Sequence, residues 1–222
     1  MTTTTTPEGP LHTSWRRTWH DLCLRGTNEA LRDRLIARYA EAHRKYHTLQ
    51  HLHECIAMLA RCPGQQEHAG EVEMALWFHD AIYDIGVPGN EERSAQWARH
   101  ELQSAGAAPG VAERVYAMVM ATRHDVAPQT ADEHLLVDVD LSILGAAPAR
   151  FDEYELQVRD EYSVVPNDVF RSRRKAILLA FLERPALYGT AFFHGLLETL
   201  ARENLLRSVA SIDASPSNVR SL

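Results

Sequence analysis

The residues best equipped for chemistry lie at 74–84, MALWFHDAIYD, where His79 and Asp80 interrupt a run of large apolar side chains. Burying an imidazole and a carboxylate among Leu76, Trp77, Phe78, Ile82 and Tyr83 costs several kcal/mol unless the charges are partnered, and a metal ion is an economical partner for both. Composition alone predicts fewer than one His-Asp dipeptide, whereas the chain has three: His20-Asp21, His79-Asp80 and His124-Asp125. Only the middle pair sits inside an apolar segment with a turn signal behind it, GVPGN at 86–90. A hydrogen-bonded pair serving structure alone is the alternative.

Other stretches supply side chains that would complete such a site. In YHTLQHLH at 46–53, His47 and His51 are four apart, so on a helix they project from one face; a solvated His-rich helix start is the competing reading. Asp84, one turn beyond Asp80, is a candidate to orient a ligand or a bound water, or else caps the following turn. LLVDVDLSIL at 135–144 again embeds carboxylates in an apolar stretch, and Asp138 and Asp140 face differently on a helix, so one of them is expected in the site. His124 ends another apolar segment as a further ligand, or as a cation at a helix C-terminus. Two imidazoles and two carboxylates, with no thiolate, suit a divalent ion such as Mn, Fe, Co, Ni, Zn or Mg. Water held by such an ion loses a proton near neutral pH and can attack phosphorus.

The elements that must position these residues read as helices. Apolar residues recur at three and four positions, Gly or Pro punctuates at helix-length intervals, and no period-two strand is evident. The pattern predicts helices at 14–25, from an Asn28 cap through Leu31, Leu35 and Tyr39, and at 47–62, 71–83 and 91–105 behind an Asn90 cap. Further helices are predicted at 110–124, about 135–144, 148–162, 166–182 and 190–208. The expected fold is all-α, an irregular single-domain bundle of nine or ten helices over 14–210. A disordered arm at 1–13 and a flexible tail at 211–222 flank it.

Composition narrows the partners. The 23 basic and 30 acidic residues leave a formal charge of −7, and the densest basic cluster, RSRRK at 171–175, is short. A nucleic-acid polymer or a membrane surface is therefore not the expected partner. Cys23, Cys55 and Cys62 lack zinc-finger spacing, and no signal segment or spanning helix is evident, so a reducing cytoplasm is the expected setting.

The order His, His-Asp, Asp over an all-helical chain resembles the HD superfamily of metal-dependent phosphohydrolases. Residues 44–204 look like the bacterial proteins described as predicted metal-dependent HD phosphohydrolases, through RKYHTLQHL, WFHDAIYD, NEERSA, DVDLSILG and YELQVRDEY. The resemblance implies an HD-type helical domain, a divalent metal cofactor held by His51, His79, Asp80 and Asp140, and hydrolysis of a phosphate ester. YHTLQH is also similar to the YHNxxH segment of cyclic-nucleotide phosphodiesterases, which implies His47 as general acid, a role its accessible pKa suits. Where the cyclic-di-nucleotide enzymes carry HDxGK, this chain departs, with Ala81-Ile82-Tyr83 after the pair.

The expected substrate is a small phosphorylated molecule, a nucleotide among the candidates. Arg159 ranks first to hold its phosphate, with Arg44, Lys45, Arg173 and Lys175 behind it and a solvated surface charge as the alternative for each. Two other functions compete: a di-iron oxygenase of the HD fold, with His100 and His124 at a second metal, and a non-catalytic nucleotide-binding module.

Overall fold

A computed structural model describes residues 9–62 and 64–214, and among these all regular secondary structure is helical. Ten α-helices and one short 3-10 turn follow in order: α1 (Pro10–Asp21), α2 (Glu29–Tyr39), α3 (Leu49–Leu59), α4 (Ala69–Phe78), α5 (Asn90–Ser104), α6 (Val111–Ala121) and α7 (Ala131–Asp140). The 3-10 turn Leu141–Gly145 leads into α8 (Pro148–Glu161), α9 (Asn167–Leu182) and α10 (Ala191–Ala214). They gather into two compact units, one ending at Val139 and one beginning at Asp140. None of the helices described is long and apolar enough to cross a membrane.

The first unit is built round α4, where every residue from Glu71 to Phe78 is buried. A helix apolar on all sides belongs in a core, and α1, α3, α5 and α6 pack round this one. Trp15 and Trp77 meet edge to face at 5.2 Å, and Trp15 stacks on Trp19 at 5.1 Å. Two carboxylates nevertheless enter this core, each with a partner. Glu71 takes a bidentate pair of bonds from Arg114 at 2.6 and 2.7 Å. Glu73 accepts from Ser14 at 2.5 Å and from Arg17 at 2.6 and 2.7 Å, so α6 and α1 are both tied to α4.

Several helix ends differ from the sequence-based expectation. Helix α1 begins at Pro10, inside the expected arm, because Pro at the first position is pre-set for a helix and Trp15 and Trp19 are buried. Asn28 does cap α2, its side chain accepting from Leu31 N at 3.3 Å. The helix expected from 47 starts only at Leu49, because extended Thr48 caps it through a 3.3 Å bond from Gln50 N. Asn90 is the first residue of α5 behind a left-handed Gly89. Helix α10 continues to Ala214 through part of the expected tail; residues 1–8 and 215–222 lie outside the described residues.

In the second unit α8, α9 and α10 assemble round the 3-10 turn. Asn204 donates to the carbonyls of Leu144 (2.9 Å) and Ala146 (2.8 Å), and Tyr188 OH donates to Leu141 O (3.1 Å). Gly145, the glycine of DVDLSILG, is required there by close approach: a Cβ would lie 2.6 Å from Leu197 Cβ and 3.1 Å from its carbonyl.

Candidate metal centre

His51 lies in the first turn of α3, while His79 is the C-cap of α4 with Asp80 directly after it. His51 and His79 are almost fully buried, at 2% and 1% exposure, and the Asp80 side chain is 17% exposed. Nε2 of His51 lies 3.0 Å from Nε2 of His79. Oδ2 of Asp80 is 3.0 Å from the latter and 3.5 Å from the former.

The tautomer of His79 follows from its other nitrogen. Nδ1 is 2.7 Å from Leu76 O, which can only accept, so Nδ1 carries the proton of the neutral ring and Nε2 then presents a lone pair. That lone pair faces a carboxylate oxygen and a second imidazole nitrogen. Three such atoms so close need a positive group among them, either a proton on one of the imidazole Nε2 atoms or a metal ion. Bonds of about 2.1 Å place neighbouring ligands about 3.0 Å apart in an octahedron and about 3.4 Å apart in a tetrahedron. The observed triangle of 3.0, 3.0 and 3.5 Å fits a divalent ion on either count. A ligating histidine whose remaining N–H is held by a carbonyl is the arrangement such ions favour.

Burial opposes ionisation of Asp80, but the imidazoles of His79, His47 and His51 outweigh it and hold the carboxyl well below the usual carboxylate range. Cys55, one turn after His51, completes a buried group of donor side chains with His51 and His79, all within 4.8 Å of one another. Its Sγ is 3.6 Å from Nδ1 and 3.8 Å from Nε2 of His51. Near-equal distances put the sulfur across the imidazole, off the lone-pair direction of either nitrogen, so Cys55 packs against the ring that Nε2 extends from.

The two motif segments are fastened together by groups that the motifs themselves do not reveal. Arg44, its side chain fully buried, donates to the carbonyls of Asp80 (2.6 Å), Ala81 (3.2 Å) and His47 (3.2 Å) and to Glu41 (3.1 Å). Tyr39 OH accepts from Asp80 N at 3.3 Å and lies 3.3 Å from Trp77 O, and burial pushes its pKa well up. NEERSA has a similar role: Ser94 accepts from Ile82 N at 2.9 Å and Asn90 brackets Asp84 through its N and O at 3.0 and 3.1 Å.

His47 and His51 are not stacked on one helix face as expected, because His47 precedes the Thr48 cap. The two rings still meet at 6.0 Å, and the half-buried His47 lies flat on Tyr83, 4.0 Å between centroids and 25° between planes. Asp84 is half exposed and paired with Arg93 at 2.7 Å, which holds its carboxyl below its ordinary pKa. Asp140 is the half-buried last residue of α7, while Asp138 is buried within that helix.

The remaining candidates have other surroundings. Arg159 donates to Tyr162 O and Val165 O at 3.0 Å each, closing the end of α8. Lys175 pairs with Asp213 at 2.5 Å, and exposed Lys45 reaches Ala42 O at 2.8 Å. His100 is exposed on α5, and His124 follows α6 with a left-handed backbone. Among the described residues neither joins a cluster of metal-donor side chains.

Sequence reasoning missed Cys55 as a neighbour of the site, although its position four residues after His51 was a usable signal. It also read Arg44 as a phosphate binder; nothing local announces that its donors serve carbonyls 36 and 37 residues away. No family model, curated protein or solved structure matches the chain.

Proposed function

We propose that the chain is a metal-dependent phosphohydrolase that cleaves a phosphate ester with metal-activated water. The observation that carries this reading is the convergence of two imidazole nitrogens and one carboxylate oxygen on a point suited to a divalent ion. When bound, such an ion supplies Lewis acidity, activating water toward phosphorus and offsetting charge on the phosphoryl oxygens. His51, His79 and Asp80 would hold it.

The chain's own residues do the rest. The Leu76 carbonyl holds the Nδ1 proton of His79 and so turns its Nε2 toward Asp80 Oδ2, and the imidazoles keep Asp80 ionised, which prepares both to act as ligands. His47, beside the triad and half-buried, would protonate the leaving oxygen and recover its proton from solvent. Leu52 and Phe78, the chain neighbours of His51 and His79, are fully buried, so the backbone on both sides of the triad is anchored in the core. Lys45 and Arg93, the latter 39% exposed, are cations that could meet the charge of a phosphorylated substrate such as a nucleotide.

The test is elemental analysis of protein purified without added metal or chelator, followed by phosphate release from nucleotide and simple aryl esters with each metal restored. About one divalent ion per chain is expected, with turnover that chelation abolishes. Asp80→Ala should lower that turnover more than about 100-fold while circular dichroism is unchanged. Full activity in that variant, or nucleotide binding without turnover in the metal-loaded protein, would overturn the assignment, the latter in favour of a binding module.

A further inference from the structure

The flat contact between His47 and Tyr83 joins a residue placed before α3 to one placed after α4, and it is the closest ring pair about the site. At 4.0 Å and 25° the rings overlap face to face, a geometry that fixes the plane of the imidazole and leaves its nitrogens at the edge of the stack. Tyr83 is itself anchored at both ends. Its carbonyl accepts from His43 Nε2 at 2.8 Å, and its ring lies 5.6 Å from the Arg44 guanidinium carbon. Arg44 in turn donates to the carbonyl of His47, so the backbones bearing both rings share a clamp.

A stacked ring neither donates nor accepts a proton from its partner. What it does is fix the plane of an imidazole that Tyr46, at 4.9 Å and 79°, meets only edge-on.

We propose that Tyr83 is the positioning residue for proton delivery by His47, acting through its ring and not its hydroxyl. This rests on the phosphohydrolase reading. The reaction gains no new step: His47 gives its proton to the leaving oxygen as the phosphorus–oxygen bond breaks, and Tyr83 sets where that proton points.

The experiment compares two leaving groups of different basicity, p-nitrophenolate and phenolate, on otherwise identical phosphate esters, with wild type, Tyr83→Phe, Tyr83→Leu, His47→Asn and the Tyr83→Leu/His47→Asn pair, all metal-loaded. A poor leaving group needs the acid and a good one hardly does. Tyr83→Leu is expected to lower kcat on the phenyl ester about 10-fold or more beyond any loss on the p-nitrophenyl ester, as part of the roughly 100-fold or larger effect of a general acid. Tyr83→Phe should retain the wild-type ratio between the two esters. The double variant should be no slower on the phenyl ester than His47→Asn alone, because a positioner has nothing left to position.

Equal losses on both esters in Tyr83→Leu, or a Tyr83→Phe variant as defective as Tyr83→Leu, would overturn the proposal while leaving the hydrolase reading intact. So would additive losses in the double variant. Metal-dependent release from neither ester by wild type overturns the hydrolase reading and this inference with it.

Discussion

Arg44 offers the sharpest test of how the site is held, and Arg44→Met is the informative change because it keeps the apolar stem and deletes only the guanidinium. That group is fully buried and donates to three backbone carbonyls and one carboxylate. Glu41 keeps a second partner in Arg38 at 2.6 Å and is partly exposed, so its loss is small. The carbonyls of Asp80 and Ala81 have no such recourse in the variant, and each stranded acceptor costs about 1–3 kcal/mol. The sum is about 3–5 kcal/mol once the weaker His47 bond is included, the range found when one partner of a buried charged network is removed. For a chain of this size about 2–4 °C of Tm accompanies each kcal/mol, so the variant should melt about 6–20 °C lower. Because those carbonyls belong to the turn that carries His79 and Asp80, metal affinity should fall about 10-fold or more as well. Urea unfolding and a metal titration measure the two effects separately. A stability within about 0.5 kcal/mol of wild type, with unchanged affinity, would refute the clamp. Arg44→Lys should recover less than half of the loss, since one ammonium cannot span carbonyls that the planar fork reaches together.

Two further expectations concern carboxylates away from the triad. Glu198 is held below the ordinary glutamate range: burial raises its pKa, but Leu187 N–H, Arg202 and Tyr188 N–H together outweigh it. A depressed folded pKa contributes stability that is present above the unfolded value and is lost as pH falls. Glu198→Gln should therefore cost about 1–3 kcal/mol at neutral pH, with the gap to wild type closing on acidification below the unfolded value of about 4.3; a pH-independent gap in chemical unfolding would contradict this. Asp132, 5% exposed, accepts from Glu67 N (2.8 Å), His68 N (3.0 Å) and His68 Nδ1 (2.9 Å), ahead of α4. Asp132→Ala strands two N–H groups at the entry to the central helix and should destabilise by about 2 kcal/mol or more, with hydrogen exchange rising first at 67–70. Unchanged exchange there would show that the entry is held some other way.

Helix identity was legible in the sequence because it depends on periodicity and on caps that act over three or four residues. Asn28 before Leu31 and Pro148 at the start of α8 are signals of that kind, and both helices begin there. Helix ends near the site were not legible, because they depend on distant partners. The expected helix over 71–83 stops at Phe78 since Tyr39, Arg44 and Ser94 take over the backbone groups of Asp80, Ala81 and Ile82. Likewise, carboxylates in the apolar face of α4 carry no local sign that Arg17 and Arg114 will meet them. The pairing of His51 with His79 and Asp80 was read from motif order, and the structure brings these three together; their distances and tautomers were beyond any spacing argument.

His79 and Asp80 stand at the C-terminal end of α4, and helix physics explains why that placement suits a cation. His51 is in the first turn of α3, whereas His79 caps the C-terminus of α4 and Asp80 follows it. The last carbonyls of a helix lack intrahelical donors and carry about half a negative charge between them. On α4 that end is met by His79 Nδ1–H at Leu76 O, and the turn beyond it by the guanidinium of Arg44. Arg44 thus neutralises the backbone side of the turn, while Asp80 Oδ2 and the two Nε2 atoms meet on its other side. Replacing Arg44 with a neutral residue would redirect that carbonyl charge toward water or collapse the turn, and either change moves His79 and Asp80 apart.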